Sequence, residues 1–127
     1  MNNETVNNKL KKLKIEEDIW IIYLGIIFLS FYSNSLERNY FLYHNINYKK
    51  QYQDVMIIIF AILLLIYLYF FDSAYKEMKN INPFDNKKKN HLIYLSFIAS
   101  FVLVLSGLIY LYIAIVDNDI DVELAFN

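Results

Sequence analysis

Hydrophobic and polar positions fall in long blocks along this chain rather than alternating within short elements. Three stretches carry no charged residue, Ile19 to Leu36, Val55 to Phe71 and Leu92 to Val116, with 18, 17 and 25 residues. At about 1.5 Å of rise per residue they predict helices of roughly 27, 26 and 38 Å, against a hydrocarbon thickness of about 30 Å. All three are long enough to cross a bilayer. The third must tilt or protrude. Asp18, Asp54 and Asp72 bound the runs and are placed in the headgroup region, with Trp20, Tyr52, Phe70 and Phe71 as interfacial anchors. A buried core helix of a water-soluble domain is the competing reading, but too little polar chain remains to cover three of them.

The fold class this pattern predicts is an all-α integral membrane protein, a small bundle of three transmembrane helices followed by an extended acidic carboxyl-terminal tail. Its expected divisions are 1-18, a cytoplasmic tail and extension of helix 1; 19-36, the first span; and 37-54, an outer loop. They continue with 55-71, the second span; 72-91, a cytoplasmic loop; 92-116, the third span; and 117-127, the outer tail. Residues 9 to 18 and 73 to 79 are expected to prolong helices into water, and Met1 to Asn8 to form a disordered polar tail. Pro83 among asparagines predicts a turn in the second connection. The first apolar run follows Glu16, Glu17 and Asp18 and exceeds the length of a signal-peptide core, which argues against cleavage near Ser33 and Ser35.

Composition adds origin and orientation. Of 127 residues 57% are hydrophobic, with two glycines, one proline and no cysteine, so disulfides, thiolate nucleophiles and cysteine-based metal sites drop out. The wealth of Ile, Asn, Lys and Tyr points to a low-GC bacterial genome. The net charge of -1 conceals nine lysines in the amino-terminal tail and second connection, against Arg38, Lys49 and Lys50 in the first. By the positive-inside rule the amino terminus is cytoplasmic and the carboxyl terminus outside. The expected location is a bacterial cytoplasmic membrane, crossed several times.

Candidate chemistry is confined to contacts. Ser100, Gly107 and Ala114 recur every seven residues in the third span, with Ser96, Leu103 and Tyr110 at intermediate positions of the same stripe. Small residues let helices approach closely in lipid, so the stripe marks either a partner face or packing within the bundle. Ser30, Ser33 and Asn34 share a face of the first span and call for hydrogen-bond partners. The second span has Ala61 as its only small residue and is expected to be the most lipid-exposed. In the tail, Asp117, Asp119, Asp121 and Glu123 alternate with apolar positions, which predicts an extended segment. Ile120, Val122, Leu124 and Phe126 would then dock on the outer loop, with Arg38, Lys49 and Lys50 as charge partners. A calcium loop fails because Val122 stands where the sixth position requires glycine.

No span carries Asp, Glu, Lys, Arg or His, which disfavours ion-coupled transport. His44 and His91 fall on opposite sides of the membrane in this topology, and no serine has a companion base. Neither an enzyme, a metal, a cofactor nor a small-molecule substrate is therefore expected. Lys87, Lys88 and Lys89 suffice as a topological anchor and are too few to bind nucleic acid. The partners expected are the lipid bilayer and a second copy of the chain or another membrane protein. The function expected is that of a small non-enzymatic protein acting through self-association or as an accessory subunit. A holin-like pore former and an immunity factor that binds a toxin in the membrane are the alternatives.

Overall fold

The structure, a computed structural model, describes residues 3–117, nearly all of them in three helices. These are α1, Asn3–Tyr43, α2, Ile46–Lys79, and α3, Lys87–Val116. Their 41, 34 and 30 residues extend to about 61, 51 and 45 Å, so each outlasts the hydrocarbon layer and projects beyond it. The helices therefore run well past the uncharged stretches. Asn3 to Asn8, expected to be disordered, form the first turns of α1. The segment expected as a loop over 37-54 is helical except for His44 and Asn45. Helix continues because leaving it would expose backbone groups, while the residues available are ordinary helix formers with neither glycine nor proline among them.

The tight connection between α1 and α2 rests on two side chains. His44 adopts the left-handed conformation, φ 52°, and its N–H donates to the Tyr40 carbonyl at 2.7 Å, which closes the last turn of α1. Asn45 then caps α2, its side chain accepting from the Asn47 N–H at 3.0 Å. The second connection, residues 80–86, uses the same asparagine chemistry. Asn82 accepts from the Phe84 N–H at 3.0 Å through its side chain and from the Asp85 N–H at 3.0 Å through its carbonyl, around Pro83. Asn86 caps α3 by accepting from Lys88 N–H at 2.9 Å.

α2 lies between the other two helices, which pack on it and not on each other. This reverses the expectation that the second span is the most lipid-exposed. Met56, Ile59, Phe60 and Leu63 form a continuous buried stripe on α2, each at most 2% exposed. The physical reason is complementarity. Close packing needs protrusions as well as recesses, and α2 supplies the bulk while its neighbours supply the small positions, Ser33 on α1 and Ser100, Gly107 and Ala114 on α3. A span with Ala61 as its only small residue is thus the natural middle layer here. Toward the end of α2, Phe71 packs on Phe97 and Phe101 at ring centroid distances of 5.3 and 6.0 Å, and extends that seam to the start of α3.

Candidate interface within the membrane

The α2–α3 seam is built around Gly107. A Cβ added there would meet Tyr67 Cδ2 at 3.2 Å and Leu64 Cδ1 at 3.3 Å, so the α2 side chains already occupy the space a side chain would need. Seven residues on either side, Ser100 and Ala114 are also buried. Of the intermediate positions, Tyr110 stacks on Phe60 with centroids 5.4 Å apart and planes inclined by 21°. Ser96 and Leu103 are exposed. The buried face passes instead through the half-buried Val104 and Leu111. Halfway between positions seven apart lies a half-integer, so either neighbour satisfies the repeat: Val104 takes the place of Leu103, whereas Tyr110 and Leu111 both pack against the core. Ser100, Gly107, Tyr110 and Ala114 are thus turned to the inside of the chain, while Ser96 and Leu103 are not.

The polar face of α1 separates into two kinds of group. Ser30 Oγ donates to the Ile26 carbonyl at 2.9 Å and Ser33 Oγ donates to the Ser30 carbonyl at 2.8 Å. Ser100 Oγ on α3 likewise donates to the Ser96 carbonyl at 2.9 Å. Back-bonding to the preceding turn thus satisfies each hydroxyl donor within its own helix, and Ser33 becomes a compact recess against α2. Asn34 differs. It is exposed and makes no hydrogen bond among the described residues. Gly25, on the same helix, has no atom within 4 Å of the place a Cβ would take.

One contact that the sequence pattern did not announce ties the far end of the seam. Gln53 Nε2 donates to the carbonyls of Ile115 at 2.9 Å and Ala114 at 3.3 Å, groups that the end of α3 leaves without helical partners. Nothing local marks Gln53, because the role depends on carbonyls at the end of α3, the first of them 61 residues later at Ala114. Asp117 closes that helix with its N–H on the Ile113 carbonyl at 2.8 Å. The docking of Ile120, Val122, Leu124 and Phe126 lies outside the described residues. Of its proposed cationic partners, Arg38 is exposed on α1, while Lys49 and Lys50 lie on α2, with Lys49 Nζ 5.9 Å from the centre of the Tyr40 ring. His44 acts as a turn former, and His91 is exposed on the first turns of α3.

Each helix contains an apolar window long enough to cross a bilayer, and only 22%, 28% and 11% of those windows is buried within the chain. So much exposed apolar surface is tolerable only in lipid. The protein is a multi-pass membrane protein. No protein-family model matches the chain, and no curated protein or solved structure resembles it significantly.

Proposed function

We propose that the chain is a non-enzymatic protein of a bacterial cytoplasmic membrane, amino terminus in the cytoplasm, that works by assembling with a second copy of itself. The observation that carries this reading is Asn34, an amide exposed on α1 within the first apolar run and lacking any hydrogen bond among the described residues. Apolar side chains facing lipid require no partner, since lipid tails are as apolar as they are. An amide in that environment leaves donors and acceptors unmet, and a second Asn34 across an interface satisfies both. The small-residue stripe of α3 plays no part in this contact.

Asn34→Leu is expected to weaken dimerisation in detergent by about 1 kcal/mol, roughly fivefold in the association constant. Sedimentation equilibrium on the wild type and the variant measures this. An unchanged constant, or a wild type that stays monomeric at high protein-to-detergent ratio, refutes assembly through α1.

A further inference from the structure

A cavity of about 600 Å³ opens where the first turns of α1, the last turns of α2 and the start of α3 come together. Its wall reaches from Leu13 and Glu16, just before the first apolar run, to Ser73, just after the second, and to Ile93, at the beginning of the third. Its inner rim therefore lies at headgroup depth, and its α1 wall rises from there through Lys12 and Lys9 toward water. Four lysines and three carboxylates line it, and two of the lysines are committed elsewhere: Lys89 pairs with Asp85 at 3.7 Å and Lys76 with Asp72 at 3.0 Å. Lys9, Lys12 and Glu16 on α1, and Glu77 on α2, make no ion pair among the described residues.

This lining suits a dipolar ion. A simple anion drawn to Lys9 and Lys12 would meet two unneutralised carboxylates, and a simple cation would meet two ammonium groups. A molecule that carries phosphate and ammonium a few bonds apart satisfies both sides at once. Asn90 adds a directional requirement. Its Nδ2 donates to the Asn82 carbonyl at 3.2 Å, but its Oδ1 is buried and accepts no hydrogen bond. A buried acceptor without a donor is costly, and an ammonium N–H supplies what is missing.

The surroundings distinguish a lipid from a soluble phosphoamine. A second cavity, of about 390 Å³, shares Glu77, Lys89 and Ile93 with the first and continues over Leu92 and Ser96 along the opening turns of the apolar run. Together their linings reach from headgroup depth to the first turn of the apolar run, where an acyl chain can lie. We infer that the paired cavities bind an aminophospholipid of the phosphatidylethanolamine class, its phosphate on Lys9 and Lys12, its ammonium on Asn90 Oδ1 and Glu77, and one acyl chain along Leu92 and Ser96.

The test is native mass spectrometry of the full chain in mild detergent, titrated with phosphatidylethanolamine, phosphatidylcholine and phosphatidylglycerol of identical acyl chains. Phosphatidylethanolamine is expected to be retained about tenfold better than phosphatidylcholine, whose quaternary ammonium has no N–H to give. That factor is the equivalent of about 1.4 kcal/mol. Phosphatidylglycerol is expected to be retained less well than phosphatidylethanolamine, because its uncharged end leaves Glu77 unpaired. Asn90→Leu should lower the preference over phosphatidylcholine. Since Asn90 also holds the connecting loop, Glu77→Gln serves as a second variant and should lose phosphatidylethanolamine while gaining phosphatidylglycerol. Equal retention of the three lipids, or a preference untouched by both variants, overturns the assignment. Displacement of bound lipid by millimolar phosphoethanolamine would overturn the lipid source and leave a site for a soluble phosphoamine.

Discussion

Gly107→Leu is expected to open the α2–α3 seam and to lower the stability of the folded helices by about 1–3 kcal/mol. The distances decide the direction. A Cβ alone would stand 3.2 Å from Tyr67 and 3.3 Å from Leu64, a crowding that shifts of a few tenths of an ångström could relieve for alanine. Three further carbons have no such remedy, because Tyr67 is itself packed against the buried core. Separation costs the dispersion contacts of the whole seam, including the Phe60–Tyr110 stack. Leu65→Val is the control. Leu65, on α2, is 67% exposed, so its change should stay within about 0.5 kcal/mol. Unfolding in mixed micelles of increasing SDS content measures both, and equal losses at the two positions would show that Gly107 is no tighter than the lipid-facing surface.

Phe60→Ala is expected to be the most damaging truncation. Phe60 is 2% exposed at the centre of the middle helix and lies stacked on Tyr110. In a water-soluble core such a change costs about 3–5 kcal/mol. Here the separated helices rest in lipid, so the transfer of the ring out of water contributes little and the loss is mainly packing. About 1–3 kcal/mol is expected on that account. Phe60→Leu restores most of the volume and should cost only the aromatic increment, about 0.5–1.5 kcal/mol. Phe28 is 72% exposed on α1, and Phe28→Ala should be nearly silent in the same SDS titration. If truncating Phe28 and Phe60 proved equally costly, α2 would not be the middle layer.

The three spans were legible because their signal is additive over many residues: no charge for 17 to 25 positions overwhelms every local preference. The seven-residue recurrence of Ser100, Gly107 and Ala114 was legible too, as a face but not as the identity of its neighbour. Periodicity within one helix says which residues look the same way. It does not say what they look at. The same limit applies to α2, whose span, with Ala61 as its only small residue, reads as lipid-exposed although the recesses belong to the flanking helices. The hairpin at His44 and Asn45 was hidden for another reason. Neither residue is glycine or proline, and two adjacent helices can be joined by one left-handed residue and one cap. Gln53 is legible only once the end of α3 is placed beside it. Of the site proposed for a lipid headgroup, Lys9 and Lys12 are visible in the sequence only as part of the cytoplasmic lysine count. The carboxylates and Asn90 that give the cavity its mixed character come together only through the meeting of three helix ends.

The central claim is that α2 crosses the membrane between its neighbours, which puts the connection at Asn45 and the connection at Asn86 on opposite faces. The chain has no cysteine, so Asn45→Cys and Asn86→Cys each introduce a unique thiol. Both positions are helix caps, and losing a cap costs about 1 kcal/mol without redirecting a span. In intact cells treated with a membrane-impermeant maleimide, only the thiol at 45 is expected to react, and the thiol at 86 should react only after permeabilisation. Reaction at 86 alone would invert the orientation. Reaction at both positions in intact cells, or at neither, would contradict the crossing itself.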